Sequence, residues 1–165
     1  MPRTLYLLRH AKSSWKDASM RDFDRPLKGR GRDAAKQIGK RLADEKPRAE
    51  IVVCSPAART RETADIVLKH AHLKVDLTFD EQIYEASLRD LLHVVSEIPD
   101  DKQTAMMIGH NPGFEELVAF VSGEYRRMPT CGLAKIRLEV ASWKDVRAGE
   151  GTLEWFVAPK ELDED

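Results

Sequence analysis

The sequence predicts an α/β domain with a largely parallel sheet and an antiparallel edge. Short apolar segments alternate with amphipathic segments of helical period from the N-terminus to residue 121. Two strand-like segments with a short connection then follow, which favours an antiparallel pair at the edge. The chain has 165 residues, of which 42% are hydrophobic. Because this length suits one hydrophobic core, we expect a single domain over residues 1–165.

Strands are predicted where short apolar runs end in polar or turn residues. These runs cover residues 4–8, 50–54, 75–78, 104–108, 133–140 and 151–157. Helices are predicted where apolar residues recur at helical spacing, over residues 29–44, 57–71, 87–98 and 114–121. Ser55 and Pro56 suit the N-cap and first position of the second helix. The acidic segment at 159–165 is expected to fray.

Composition limits the classes of partner and cofactor. The formal net charge is -1, so we expect no nucleic acid or membrane partner. The N-terminus lacks the pattern of a signal peptide, and we expect a cytoplasmic monomer. Cys54 and Cys131 have no metal-ligand spacing, and His70, His72 and His93 do not group with them. Neither a metal nor another cofactor is therefore expected.

Three predicted strands end in polar residues that suit an anion. Arg9 and His10 follow the first strand, a helix carrying Arg59 and Arg61 follows the second, and His110 follows the strand at 104–108. Taken singly, each is explained as well by a structural histidine or a solvated helix face. The carboxyl ends of neighbouring parallel strands form ligand sites in α/β sheets, so we expect these groups to converge.

Such a group of side chains favours phosphoryl chemistry. Arginine remains charged and presents a planar fork of donors that fits a phosphate. A histidine among fixed positive charges has its pKa lowered, so its neutral nitrogen is available as a nucleophile. This nitrogen could attack phosphorus while the arginines hold the phosphoryl oxygens, with no metal required.

Four segments resemble motifs of the histidine phosphatase superfamily, also called phosphoglycerate-mutase-like. Residues 7–13, "LLRHAKS", resemble its R-H-G-x-T signature. Residues 22–35, "DFDRPLKGRGRDAA", are similar to its D-x-P-L-T-x-x-G-x-x-Q-A element. Residues 54–64, "CSPAARTRETA", and 108–113, "IGHNPG", resemble its S-P-x-x-R-x-x-x-T-A and second histidine motifs. The four motifs occur in the order of the family.

The short length, "DRPL" and "HNPG" look most like the SixA branch of that family, the phosphohistidine phosphatases. The resemblance implies a three-layer α/β/α sandwich without the helical cap insertion of the mutases. It also implies a metal-independent phosphatase with a phosphohistidine enzyme intermediate. The substrate partner would be a phosphohistidine protein or a small phosphorylated metabolite. The alternatives are a small-molecule phosphomonoesterase, a mutase, which the missing insertion disfavours, and a non-catalytic domain that binds phosphorylated ligands.

Carried over to this sequence, the motifs imply a role for each matching residue. His10 would be the nucleophile, and Arg9, Arg59 and His110 would hold the transferring phosphoryl group. The motif selects Arg59 over Arg61, which helical spacing alone does not. Three further residues are implied near the phosphate or substrate, namely Arg25, Ser13, which could instead hold the loop, and Asn111.

Two positions depart from the motifs or leave a role open. Ala11 stands where the family signature has glycine. The general acid is assigned by resemblance to Glu81, with Glu85 as the alternative. The imidazole that leaves phosphohistidine needs less protonation than an alkoxide, because its conjugate acid is far stronger than an alcohol. A weak acid position would therefore suit an N–P substrate.

Overall fold

Six strands form one sheet in the computed structural model, which describes residues 2–159. They are β1 (Arg3–Arg9), β2 (Ile51–Cys54), β3 (Asp76–Phe79), β4 (Thr104–Gly109), β5 (Leu133–Leu138) and β6 (Gly151–Val157). Their order in the sheet is β3-β2-β4-β1-β5-β6. The first four are parallel, whereas β5 and β6 pair antiparallel at one edge. The predicted mostly parallel sheet is confirmed.

Four α-helices cover the two faces of this sheet within the described residues. They are α1 (Gly29–Asp44), α2 (Ala58–His70), α3 (Leu88–Ser96) and α4 (Gly113–Ser122). Helices α1 and α2 share one buried cluster with the sheet, and α3 and α4 share the other. The fold is therefore the predicted three-layer α/β/α sandwich. No helix within residues 2–159 is long and apolar enough to cross a membrane.

The alternation of side chains along β1 builds both layers of the core. Leu5 and Leu7 belong to the cluster under α3 and α4, while Tyr6 and Leu8 belong to the cluster under α1 and α2. All four are almost fully buried. Because successive residues of a strand point to opposite faces, a strand covered on both sides must be apolar throughout. This requirement explains why the polar residues appear only where the strand ends.

The structure corrects the predicted start of the second helix. Helix α2 begins at Ala58, and its N-cap residue is Ala57, which has no side-chain cap. The hydroxyl of Ser55 does not reach the first helical turn, since it lies 2.7 Å from Nε2 of His110. The cap prediction is therefore wrong. The other element boundaries agree with the prediction to within two residues, and residues 160–165 of the predicted tail lie outside the described residues.

Candidate active site

Strand register brings the two motif histidines together. Arg9 of β1 is level with Gly109 of the neighbouring strand β4, so His10 and His110 leave the sheet side by side. Their ring centroids are 5.3 Å apart and the rings are tilted by 54°. The side chains are 7% and 9% exposed. The convergence predicted from the ends of the strands is confirmed for this pair.

The hydrogen bond at His10 identifies its free nitrogen. Nδ1 lies 2.7 Å from the backbone oxygen of Ala11. A carbonyl oxygen only accepts hydrogen bonds, so Nδ1 must carry the proton and donate it. In the neutral imidazole, Nε2 then keeps its lone pair. This tautomer presents Nε2 as the nucleophile.

The surroundings of His10 keep its imidazole neutral. Burial is the main cause that lowers its pKa to about 3, and the nearby His110, Arg9 and Arg59 lower it further. The hydrogen bond to Ala11 acts in the opposite direction but is outweighed. A like charge or a dry environment disfavours the imidazolium form. His10 is therefore uncharged at neutral pH, with a free lone pair on Nε2, as nucleophilic attack requires.

Ser55 holds the second histidine in place. Cys54 is level with Ile108, which sets Ser55 beside Gly109 and its hydroxyl against His110. Ser55 is fully buried, and Nε2 of His110 is the one acceptor that its hydroxyl contacts among the described residues, so we infer that the hydroxyl donates to Nε2. We assign the proton of the imidazole to Nδ1 on this basis. Burial and Arg59 lower the pKa of His110 to about 4.

The two predicted arginines are oriented by backbone oxygens. Nη1 of Arg9 donates to the carbonyl of Met128 at 2.9 Å. Nη1 of Arg59 donates to the carbonyl of Asp22 at 2.8 Å, and Nη2 donates to the Asp22 carboxylate at 3.1 Å. Arg59 is 7% exposed. Fixed guanidinium groups of this kind are already arranged for an anion before it binds.

Three donors of the site have no partner within the described residues. They are Nε of Arg9, Nε of Arg59 and Nδ1 of His110, all buried. A buried donor without an acceptor costs about 1–3 kcal/mol, so each one in a native protein needs an explanation, of which a functional role is one. These donors belong to the residues that were predicted to surround a phosphoryl group. Arg9 and Arg59 also lower the pKa of both His10 and His110, so positive charge is concentrated around the two imidazoles, as an anion site requires.

Asp22 is a site residue that the sequence reasoning passed over. Its carboxylate accepts hydrogen bonds from Arg59, from Arg25 at 3.0 and 3.1 Å, and from the hydroxyl of Tyr84 at 2.6 Å. Burial raises the pKa of this carboxyl, but these three donors outweigh burial and lower it to about 2. Asp22 is the first residue of the "DFDRPL" segment. The motif could have indicated it, if its other polar residues had been considered together with Arg25.

Tyr84 is a second site residue that was not predicted. It lies between Glu81 and Glu85, the two candidates for the general acid. Its ring meets the ring of His110 edge-on at 5.5 Å and the ring of Phe23 at 5.1 Å. Burial and the bond to Asp22 raise the pKa of its hydroxyl to about 12. The phenol therefore stays protonated and acts as a hydrogen-bond donor to Asp22. No local sequence pattern signals this contact.

The structure ties Arg25 and Ser13 to each other. Nη1 of Arg25 donates to the Ser13 hydroxyl at 2.6 Å, and the guanidinium stacks 3.5 Å from the ring centre of Trp15. With Asp22 on its other side, Arg25 is 6% exposed. The two residues lie next to the site, but their polar atoms bind protein partners. Their phosphate-binding roles stay predictions.

Asn111 is also engaged by the protein. Its side-chain amide donates to the carbonyl of Met128 at 3.0 Å, and its oxygen accepts from the amide of Glu115 at 3.2 Å. The same Met128 carbonyl orients Arg9. In this arrangement Asn111 shapes the loop that supports Arg9, and its substrate-binding role stays a prediction.

Ala11 fits the signature loop without backbone strain. The described residues with positive φ other than glycine are Lys46, His72, Glu85 and Cys131, so Ala11 is not among them. Its methyl group is fully buried in the core. Its amide donates to the hydroxyl of Thr63 at 3.0 Å. Since the loop requires no left-handed residue at this position, alanine replaces glycine there without cost.

The two candidate acids both lie on the surface beside the site. Glu81 begins a 3-10 helix, Glu81–Ile83, and its side chain is exposed. Glu85 is exposed as well and has φ 55. They flank Tyr84, and neither is distinguished by its surroundings. The choice between them, and the role itself, stay predictions.

The described residues offer no metal centre. Within residues 2–159, no three side chains of His, Cys, Asp or Glu are grouped so as to hold a metal ion. Cys54 and Cys131 are both buried with free thiols. Burial raises the pKa of each thiol to about 12, so neither is a thiolate at neutral pH.

Comparison with known proteins agrees with the geometry. Residues 5–116 match the model of the histidine phosphatase superfamily (branch 1). An uncharacterized chloroplastic protein of Arabidopsis thaliana is 34% identical, over 95% of this chain and 78% of its own length.

Two solved structures share the fold over nearly their whole length. One is assigned as the phosphohistidine phosphatase SixA of Agrobacterium tumefaciens, with 30% identity, a TM-score of 0.82 and coverage of 96% of this chain and 99% of that one. The other is assigned as SixA of Nakamurella multipartitia, with 26% identity, a TM-score of 0.84 and coverage of 97% and 98%. The chain belongs to branch 1 of the histidine phosphatase superfamily, and it is a phosphatase of the SixA type.

Proposed function

We propose that this phosphatase hydrolyses phosphohistidine on proteins through a covalent phospho-His10 intermediate and without a metal. The observation that carries the proposal is the neutral, buried His10, whose ring lies 5.3 Å from the ring of His110 and whose pKa is lowered further by Arg9 and Arg59. A nucleophile beside two fixed guanidinium groups fits a phosphoryl group, which carries its negative charge on several oxygens.

In the first step, the lone pair on Nε2 of His10 attacks phosphorus. A new N–P bond forms on His10 as the N–P bond to the substrate imidazole breaks, and the departing imidazole nitrogen takes a proton from solvent water. Arg9, Arg59 and Nδ1 of His110 stabilise the charge on the phosphoryl oxygens during the transfer. The neutral state of His10 makes this attack possible at neutral pH.

In the second step, water attacks the phosphorus of phospho-His10. The N–P bond breaks, and inorganic phosphate leaves with the oxygen of the attacking water, whose protons pass to the phosphate or to solvent. His10 recovers the lone pair on Nε2 and is again a neutral imidazole. Arg9, Arg59 and His110 also stabilise this step, because similar negative charge is present on the phosphoryl oxygens in both transfers. His10 thus acts as nucleophile first and as leaving group second.

Two observations support a protein substrate. The chain passes from β3 to α3 through residues 80–87, which hold only a short 3-10 helix within the described structure, so this connection contributes no helical cap. The solved relatives at 26% and 30% identity are assigned as phosphohistidine phosphatases. An uncapped site admits a protein surface, whereas a closed pocket favours small metabolites. The cytoplasmic location and the monomeric state stay predictions from the sequence.

A comparison of rates tests the proposal. We expect kcat/KM for a phosphohistidine peptide to exceed that for the matching phosphoserine peptide and for a sugar phosphate by at least about tenfold, because imidazole is the easier leaving group. His10→Ala should abolish turnover of all of them. His93→Ala, at an exposed histidine on α3, is the matched control and should behave as the wild type. A higher rate with the sugar phosphate would favour the small-molecule alternative.

A further inference from the structure

A cationic cleft lies beside the active site and has no role in the chemistry above. It has a volume of about 580 Å³ and lies between the loop after β1 and the start of α1. Trp15, Lys16, Leu27, Lys28, Gly29 and Arg32 are among its lining residues. None of the described residues that line it is acidic, although the whole chain has a formal net charge of -1. Positive charge is therefore concentrated at this place.

The cleft and the active site share Arg25 as a boundary. One face of the Arg25 guanidinium stacks on Trp15, which lines the cleft, and its edge binds Asp22, which binds Arg59. The cleft is thus linked to Arg59 of the phosphoryl site through Arg25 and Asp22. The ring of Trp15 is 74% exposed, which is unusual for a large aromatic group and typical of a contact surface.

A second cleft next to the first has the opposite charge. It has a volume of about 410 Å³, and Asp24, Glu62 and Asp65 line it together with Arg61. The carboxylate of Glu62, in the second cleft, accepts a hydrogen bond of 2.7 Å from the backbone amide of Leu27, in the first. The two clefts therefore adjoin. An acidic segment bound near the site would be repelled by this second cleft and attracted by the first. The two clefts together would therefore favour an acidic ligand and would orient it toward the first cleft.

We infer that the cationic cleft binds acidic residues that flank the phosphohistidine of the protein substrate. This inference rests on the proposed function, since it names the part of the substrate outside the phosphoryl group. Lys16, Lys28 and Arg32 supply the charge, and Trp15 supplies apolar contact. Surface charges of this kind contribute to selectivity and to the rate of association more than to tight binding.

The test uses two phosphohistidine peptides that differ only in their flanking residues, glutamates in one and glutamines in the other. With the wild type, kcat/KM for the glutamate peptide should be about three- to tenfold higher, through KM, and the preference should shrink at high salt. Lys16→Glu should remove or reverse the preference, and Lys16→Gln should reduce it. Turnover of a small aryl phosphate should stay within about twofold of the wild type in both variants, because Lys16 is exposed and lies outside the phosphoryl site.

Lys144→Glu is the matched control, because it makes the same charge change at an exposed lysine in the 3-10 helix Trp143–Asp145. That helix lies at the opposite end of the sheet, where Trp143 binds the backbone just before β4. The control should keep the wild-type preference. If Lys16→Glu also keeps it, or if the wild type turns over both peptides equally, the cleft proposal is wrong while the proposed function stands. If the wild type hydrolyses neither peptide, both proposals fail.

Discussion

The imidazole rings of His10 and His110 lie 5.3 Å apart, each buried and each held by a hydrogen bond on one nitrogen only. His10 binds the carbonyl of Ala11 through Nδ1, while His110 binds Ser55 through Nε2. The two rings therefore offer different free nitrogens, an acceptor on His10 and a donor on His110. This asymmetry separates the nucleophile from the group that stabilises the phosphoryl oxygens.

The first prediction concerns the protonation of His10. Burial and its charged neighbours lower its pKa to about 3, so NMR titration of the histidine ring signals should give a midpoint for His10 well below 5. A midpoint near 6.5 for His10 would contradict the dry, cationic environment described for it.

A second prediction concerns stability, and its sign follows from the same pKa. Between about 6.5 and 3 the unfolded chain binds a proton at residue 10 that the folded chain excludes. The free energy of unfolding should therefore fall as the pH drops through this range, by an amount on the order of a few kcal/mol. Urea unfolding of the wild type and of His10→Gln at pH 7 and pH 5 measures it. An equal fall in the free energy of unfolding in both proteins would show that His10 does not cause this pH dependence.

Asp22 provides a third prediction, since it holds Arg59, Arg25 and Tyr84 together. Asp22→Asn removes the negative charge but keeps the shape, so kcat should fall by about tenfold to a hundredfold as Arg59 loses its fixed position. The matched control is Asp24→Asn, because Asp24 pairs with the exposed Arg21. That control should change kcat by less than about twofold. Equal rates in the two variants would show that the Asp22 contacts do not matter for catalysis.

Two glycines of α1 give a fourth prediction. A Cβ on Gly31 would lie 2.1 Å from the backbone oxygen of Lys12 in the signature loop, whereas a Cβ on Gly29 would meet nothing within 4 Å. Gly31→Ala should therefore cost about 1–3 kcal/mol and lower activity through the loop. Gly29→Ala should be neutral or stabilise by up to about 1 kcal/mol. Thermal and urea unfolding measure the stability of the Gly31→Ala and Gly29→Ala variants. Equal stability would mean that the signature loop can shift away from α1 without cost.

The general acid gives a fifth prediction. Glu81→Gln should slow hydrolysis of an alkyl phosphate by about tenfold, because the alkoxide needs a proton, while phosphohistidine hydrolysis should change by less than about twofold. Glu85→Gln is the matching variant four residues along. If only Glu85→Gln slows the alkyl phosphate, the role belongs to Glu85. If neither does, neither Glu81 nor Glu85 is the acid.

The sequence predicted the strand and helix positions well, because buried strands and amphipathic helices follow periodic patterns. It also placed Arg9, His10 and His110 at strand ends. The parallel register of β1 and β4 brings these ends together. The roles of Ser55, Asp22 and Tyr84 were not predicted from it. Ser55 and Pro56 fit a helix start locally, yet the hydroxyl of Ser55 turns to His110 in the folded chain. Asp22 and Tyr84 are 62 positions apart and meet only through tertiary packing, which no local pattern encodes.

The most direct test of the central claim is to trap phospho-His10. The wild type is mixed with a phosphohistidine peptide that carries labelled phosphate, quenched rapidly in base, and mapped by peptide mass spectrometry. The account predicts a label that is stable in base, labile in acid and located on His10, absent in His10→Ala and unchanged in His93→Ala. Turnover at the wild-type rate with no label on His10, or with His10→Ala, would contradict it.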